Sequence, residues 1–418
     1  MIRRLQALVI ATILVVAAFS TGLPFLFYLL YLGILIVGGS YILVRLGLSD
    51  LEAGYAVSQL HGHVGDRMRV TYTLRNRGRL PKPWLEIHNP TTLPGGLPGR
   101  ALNLGGDGER SWLIRAPLTR RGHFRIEPLQ IRTADPFGFF EAAATVGQGV
   151  SVVVFPRLEA LPAWRLPSAS LEGSHASPER TLQTTPLATS VRPYAPGDSM
   201  NRIHWRSTAR HGEIQVKEFD LEQTADAWII LDLERSIQTG QGEESTTEAA
   251  IRAAASIADK ALSENRAVGM TINAGRTAFL PADRGGRQHQ KVMQLLAAVE
   301  ADSNTPLVET LVASVGRLRR GMTAVVISPS LDPSWIRPLA GLRARGVSCV
   351  VVTVDAAAYN RAALEARAAR TGRRAEADPD ATALAAQRAR ALHHALAEYE
   401  LKAYSLTPGR PLGEVLAG

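Results

Sequence analysis

Residues 5–44 include no charged side chain, a run of 40 positions, and no other feature restricts the folding of this chain so strongly. A helix needs roughly 20 apolar residues to cross the hydrocarbon core of a bilayer, so the run has room for two spans. Thr21-Gly22-Leu23-Pro24 interrupts it near the middle, where proline disfavours a continuing helix. The expectation is a two-span transmembrane hairpin within residues 1–48, with helices over about 5–20 and 25–44. Arg3 and Arg4 precede the first span and Arg45 closes the second. The excess of positive charge on cytoplasmic flanks then predicts a multi-pass protein of the cell (inner) membrane, with the bulk of the chain in the cytoplasm. A rival reading makes the first segment a signal peptide, with small residues Ala17 and Ala18 near its cleavage site. One span would then remain, and the large C-terminal part would still face the cytoplasm.

The net charge of +9 raises nucleic acid and anionic lipid as partners. Only five of the 47 basic residues are lysine, and the arginines are scattered among alanines over the whole chain. No basic patch interleaved with aromatic residues stands out, so nucleic-acid binding is not expected. Cys349 is the sole cysteine, inside the apolar run 347–354. That excludes a disulfide framework and predicts a buried thiol.

Beyond the hairpin the hydrophobic period changes twice. Residues 51–157 show short alternating runs such as Arg67-Met68-Arg69-Val70-Thr71-Tyr72-Thr73-Leu74, separated by Gly- and Pro-rich turns. They predict an all-β, sandwich-like module. Residues 158–191 are rich in Pro, Ser, Thr and Ala without periodicity, as in a linker or an extended crossing segment. From 192 to 418 strand and helix patterns alternate. Strands are expected at 227–231, 267–273, 277–280, 323–328 and 347–354, with an edge strand at 402–406. Helices are expected at about 246–264, 288–300, 306–319 and 334–344, the first capped by Thr246 or Thr247, with two Ala/Arg-rich helices beyond. Parallel strands with helical crossovers predict an α/β, doubly wound, Rossmann-like sheet.

The first of these strands, Ala227-Trp228-Ile229-Ile230-Leu231, runs into Asp232-Leu233-Glu234-Arg235-Ser236. An aspartate ending a buried parallel strand faces the crevice where open α/β sheets place ligands. The pattern resembles the Asp-x-Ser-x-Ser that opens the magnesium site of von Willebrand factor A-type domains, with Glu234 at the middle position instead of serine. That resemblance implies Mg2+ held by Asp232, Glu234 and Ser236, together with Ser303 or Thr305 of Asp302-Ser303-Asn304-Thr305. A third loop should supply an aspartate after Ser328, but Pro329 stands there and Asp332 lies three residues beyond it.

A second block is more specific. Arg192-Pro193-Tyr194-Ala195-Pro196-Gly197-Asp198 is followed by Arg202-Ile203-His204-Trp205 and by Ala209-Arg210. This block resembles the bacterial and archaeal family called domain of unknown function 58, which joins such a block to a von Willebrand factor A-like domain. The hairpin and the stretch Arg121-Gly122 then Asp135-Pro136-Phe137-Gly138 fit the same pattern. The resemblance implies a MoxR-type AAA+ ATPase as partner, and a role in assembly or maturation of protein complexes. Pro196-Gly197 suits the centre of a type II turn. Ile203 and Trp205 are expected to bury beside the sheet. Arg192, Tyr194, Gly197, Asp198, Arg202, Trp205 and Arg210 either brace the linker or contact a partner.

No catalytic constellation is predicted. His61 and His63 lack further metal ligands, and adjacent His393 and His394 point different ways on a helix. No serine sits at a strand-to-helix elbow, and no Gly-rich loop carries a following Lys-Ser or Lys-Thr. The expected function is that of a membrane-anchored, non-enzymatic adaptor mediating protein–protein interaction. The alternatives are a metal-assisted hydrolase using the Asp232 crevice, and a basic binder of membrane surfaces or nucleic acid.

Overall fold

The computed structural model describes residues 2–167, 190–195, 198, 200–218, 226–275, 277–371 and 379–417. The chain divides into two compact units, Met1–Leu158 with Met293–Val299, and Glu159–Val292 with Glu300–Gly418.

The first unit begins with α1 (Ile2–Thr21) and α2 (Pro24–Gly47). The chain reverses where the sequence breaks its apolar run. Gly22 takes φ 66°, which L side chains resist, and Pro24 occupies the first turn of α2, where its missing N–H costs nothing. Phe19 and Phe27 meet edge to face at 5.4 Å across the turn. Among the described residues α2 is the one helix long and apolar enough to cross a membrane; the apolar stretch Val9–Thr21 of α1 is shorter.

Ten strands follow: β1 (Leu51–Val57), β2 (His61–His63), β3 (Arg67–Asn76), β4 (Lys82–His88), β5 (Arg100–Leu104), β6 (Glu109–Pro117), β7 (Gly122–Ile126), β8 (Leu129–Ala134), β9 (Glu141–Val146) and β10 (Val150–Phe155). They form three sheets ordered β1-β3-β6, β2-β10-β7 and β5-β4-β8-β9. In β3 the alternation is complete: Met68, Val70, Tyr72, Leu74 and Asn76 are buried and the residues between them exposed. Side chains of a strand point to opposite faces in turn, so one face of β3 enters a core shared with Leu85, Ile87, Leu129, Ile131, Val152 and Val154. Asn76 is tolerated there because its amide donates to Leu80 O and Gly105 O, both at 2.8 Å. His63 is tied through Nδ1 to Pro156 O at 2.7 Å.

In the second unit, residues 159–167 of the expected linker are packed in place, while 168–189 lie outside the described residues. Leu161, Trp164 and Leu166 are buried, and Glu159 pairs with Arg252 at 2.9 Å and accepts from Leu412 N. The strands β11 (Ser190–Pro193) and β12 (Gln215–Glu218) pair antiparallel, with α3 (Trp205–His211) between them in sequence. Then come β13 (Ala227–Asp232), β14 (Gly240–Gln241), β15 (Glu244–Ser245), α4 (Thr246–Ser263), β16 (Val268–Asn273), β17 (Ala278–Asp283), α5 (Gly285–Ala298), α6 (Leu307–Ser314), β18 (Thr323–Ser328), α7 (Ile336–Ala344), β19 (Ser348–Val354), α8 (Ala356–Thr371), α9 (Pro379–Glu398), β20 (Lys402–Leu406) and α10 (Leu412–Ala417).

Six of these strands form one mixed sheet in the order β17-β16-β13-β18-β19-β20. All neighbours are parallel except the β16–β17 pair. Counted within the sheet the order is 3-2-1-4-5-6, so the winding reverses between β13 and β18. The expected third strand at 277–280 is longer, and it turns back antiparallel. Every residue of β13, β16 and β18 is buried, which explains why they read as continuous apolar runs instead of alternating ones. The Trp228 ring packs against Gly269, where an added Cβ would come within 2.4 Å of it, and its Nε1 donates to Thr271 Oγ1 at 2.9 Å. Helix α4 is capped one residue earlier than expected: Ser245 accepts from Glu248 N, and the Thr246 hydroxyl instead donates to Gln238 Oε1 at 2.7 Å. Burial pushes the Cys349 thiol up to about 12, against the opposing charge of Arg343.

Candidate functional site

Each of the three central strands ends in one polar residue: Asp232 on β13, Asn273 on β16 and Ser328 on β18. Register places Asp232 directly beside Asn273. The Asp232 carboxylate is 0% exposed and Ser328 only 1%. Its Oδ2 accepts from Ser328 Oγ at 2.6 Å, across the point where the winding reverses. Its Oδ1 accepts from Asn273 Nδ2 at 3.1 Å and from Glu234 N at 3.2 Å. Asn273 also donates to Thr305 O at 2.7 Å and accepts from Ser303 Oγ at 2.7 Å. Ser303 Oγ in turn accepts from Thr305 N, and Ser328 Oγ accepts from Ser330 N. A parallel bridge between Glu234 and Ser303 and the bond from Arg235 N to Ser303 O close the network from the loop side. Burial raises the pKa of Asp232, although Ser328, the Glu234 N–H and Asn273 pull the other way.

This arrangement does not fit a resident magnesium ion, which demands near-octahedral geometry and retains several waters. Both oxygens of Asp232 already accept from protein donors, and the carboxylate has no exposure to water. The Ser303 hydroxyl is committed to Asn273, and Thr305 enters through its backbone. Ser236 is exposed and donates to Glu234 Oε1, forming an outer pair separate from the buried cluster. Asp332 caps the turn that follows it through Ser334 N at 3.1 Å. Among the described residues no group of three His, Cys, Asp or Glu side chains could hold a metal. The expected open crevice is therefore corrected to a sealed polar plug. Asn273 and Ser328, its central partners, escaped the sequence reading; their signal was a polar residue ending each buried apolar strand.

The arginine block is built differently. Arg192 clamps Asp198 with two bonds, Nη1 to Oδ2 at 2.8 Å and Nη2 to Oδ1 at 2.7 Å, the geometry that suits guanidinium to carboxylate. Asp198 Oδ2 also accepts from Ala195 N at 2.9 Å, and Asp198 N donates to Ala195 O, closing a four-residue turn. Gly197 and the Arg202 side chain lie outside the described residues. His204 caps α3 through Ser207 N, and Gly212 ends it at φ 74°. Ile203 is buried as expected, bridged to Val216.

Trp205 departs from expectation: it is 70% exposed. Helix α3 has only seven residues and buries none of them; the apolar contact with β12 comes from Ile203 just before the helix, Thr208 Oγ1 accepts from Gln215 N at 3.0 Å, and Trp205 opens α3 toward solvent. Tyr194, Met200 and Ile214 are exposed as well, with Arg206 and Arg210 exposed beside Trp205 on α3. The block thus pins its own turn internally and leaves aromatic, apolar and cationic side chains on the surface.

Comparison with known proteins matches residues 190–372 to the family described as Protein of unknown function DUF58. The uncharacterized protein YeaD of Bacillus subtilis (strain 168) is 24% identical over 318 residues, covering 72% of this chain and 76% of its own length. The uncharacterized protein Rv1480 of Mycobacterium tuberculosis is 30% identical over 171 residues, 39% of this chain; the match spans about half of that relative, 53% of its length. Among solved structures, proximal thread matrix protein 1 from the mussel byssus is 12% identical, covering 31% of this chain and 38% of that one, with a TM-score of 0.26. A CARDB domain from Pyrococcus furiosus gives a TM-score of 0.19 at 14% identity, covering 25% of this chain and 87% of that one. Scores this low carry no argument about fold. The motif block and five of the sheet's six strands fall inside the matched span, and over residues 190–372 the chain is similar to the DUF58 family.

Proposed function

We propose that the chain is a membrane-anchored, non-enzymatic adaptor whose arginine block docks a partner protein. In this reading residues 1–48 form a multi-pass anchor in the inner membrane, with the bulk of the chain in the cytoplasm. The α/β unit is a von Willebrand factor A-like domain, and its strand order with one antiparallel edge supports that assignment. The partner is a MoxR-type AAA+ ATPase, engaged in assembly or maturation of protein complexes, as the family resemblance implies.

The observation that carries the reading is the contrast between a sealed Asp232 and an exposed Trp205. Tryptophan, tyrosine and arginine are enriched among the residues that dominate binding at protein interfaces; here Tyr194 adjoins the turn held by the Arg192–Asp198 clamp, and Trp205 and Arg210 stand on the short helix α3 that follows it. A preformed turn lowers the ordering cost of association. The test is capture of partners from native membranes with the full-length chain, comparing wild type, Trp205→Ala and Asp232→Asn. Wild type and Asp232→Asn should recover the ATPase, and Trp205→Ala should lose it. Retention by Trp205→Ala, or loss by a folded Asp232→Asn, would contradict docking through the block.

A further inference from the structure

The Asp135-Pro136-Phe137-Gly138 stretch, with Phe139 and Phe140 behind it, has no part in the docking reading. Its geometry is nonetheless built with care. Asp135 is 5% exposed and accepts from Phe137 N at 2.9 Å and Phe140 N at 2.6 Å. The Gly138 N–H donates to Asp135 O, with Gly138 at φ 76°, and Asp135 N donates to Phe140 O. The carboxylate thus occupies the inside of the turn and the three phenylalanines leave from its outside. Phe137 is 51% exposed and stacks on Phe139 at 5.9 Å. Phe140 meets Tyr41 of α2 edge to face at 5.6 Å.

That last contact sets a depth. Helix α2 has 24 residues, about 36 Å at 1.5 Å per residue, and a bilayer core accounts for about 30 Å of it. Counted from Pro24, the core ends near Val44, so Tyr41 lies about 5 Å inside it. Two further contacts hold the end of α2 against the strands. The Lys82 ammonium, 2% exposed, donates to Leu46 O and to Ser49 Oγ. Gly47 lies so close to Thr133 that an added Cβ would come within 2.9 Å of its methyl. The apolar surface of α2, with Tyr41 and Ile42 at least half exposed, therefore meets the phenylalanine turn at the Tyr41–Phe140 contact.

We infer that the turn over residues 135–140 is a lipid-facing wedge, with Phe137 and Phe139 entering the interfacial layer of the bilayer beside the last turns of α2. Phenylalanine is typical of the apolar faces of interfacial elements, which sink roughly 5–10 Å into the boundary of headgroups and acyl chains, a depth that matches the one set by Tyr41. The inference rests on the reading of α2 as a membrane span and adds a second, non-spanning contact that orients the β module against the lipid.

The test uses the full-length chain in phosphatidylcholine–phosphatidylglycerol vesicles, with a nitroxide on one introduced cysteine at a time. The sites are Phe137→Cys, Phe139→Cys, Leu35→Cys in the exposed middle of α2, and Arg67→Cys. Arg67 lies at the far end of β3 from Asn76, about 30 Å along the strand. The unlabelled-site wild type, whose Cys349 is buried, serves as the blank. Collision with oxygen, which concentrates in lipid, is compared with collision with a water-soluble nickel chelate. The oxygen-to-nickel ratio at 137 and 139 should exceed that at 67 several-fold and approach that at 35. A lipid-type ratio at 35 with a water-type ratio at 137 and 139 would overturn the wedge and leave the span intact. A water-type ratio at 35 would overturn both. Exclusion of both reagents at 137 and 139 would mean that protein covers the turn, which also overturns the wedge.

Discussion

Asp135 in the first unit and Asp232 in the second are both buried, both stand at the end of a strand, and both accept the backbone N–H two residues on. Their carboxyl pKa values nevertheless move in opposite directions. At Asp135 burial raises the value, but the N–H groups of Phe140, Phe139 and Phe137 outweigh it and the net shift is down. At Asp232 burial dominates, with one backbone N–H and two side-chain donors opposing it, and the net shift is up. Donors that belong to the turn itself favour the charged form, so Asp135 works as an ionised scaffold that projects side chains outward. Asp232 sits deeper and works as a plug that closes the sheet's crevice. An aspartate at the end of a strand thus marks a functional crevice only when a face of it remains open.

The largest break in this comparison should come from Asp232→Ala. It strands the Ser328 and Asn273 donors and the Glu234 N–H in a site without water, and each such buried group costs about 1–3 kcal/mol. A total loss of about 3 kcal/mol or more is expected in chemical unfolding of the detergent-solubilised chain. Asp135→Ala should cost less, about 1–2 kcal/mol, because the freed N–H groups lie in a surface turn; hydrogen exchange at Phe137 and Phe140 should speed up while β8 stays protected.

The pH dependence separates the two sites by sign. Asp135 has a lowered folded value, so its stabilisation is present above the unfolded carboxyl pKa and is lost as pH falls through the folded one. Asp232 has a raised folded value, so its contribution is present below the unfolded pKa and is lost as pH rises through the folded one. Relative to Asp135→Asn, wild type should lose its advantage as the solution is acidified from neutrality. Relative to Asp232→Asn, wild type should gain. The smallest effect is expected at the clamp: Arg192 is partly exposed, so Arg192→Ala should cost about 1 kcal/mol or less, yet weaken partner capture by loosening the turn that carries Tyr194.

Much of this architecture is legible in the sequence because single residues punctuate it. Pro24 ends one apolar run and begins α2, the alternation in β3 survives intact, and the run 402–406 is the edge strand β20. The antiparallel turn of β17 is not legible, since a short strand carries no mark of its direction. Trp205 misleads because a large aromatic beside Ile203 reads as core, and only the shortness of α3 places it outside. At the candidate site the sequence shows Asp232 at a strand end but not its closure. That closure depends on Asn273 and Ser328, which lie 41 and 96 residues away.

The most direct test of the sealed plug is unfolding of the detergent-solubilised chain with and without millimolar Mg2+, for wild type and Asp232→Asn. In the variant the amide oxygen can keep the Glu234 and Asn273 donors while its NH2 donates to Ser328. A plug predicts that Asp232→Asn is within about 1 kcal/mol of wild type at neutral pH, and that neither protein is stabilised by the ion. Stabilisation of wild type that grows with Mg2+ concentration, as binding to the folded state alone requires, and that vanishes in Asp232→Asn, would contradict it.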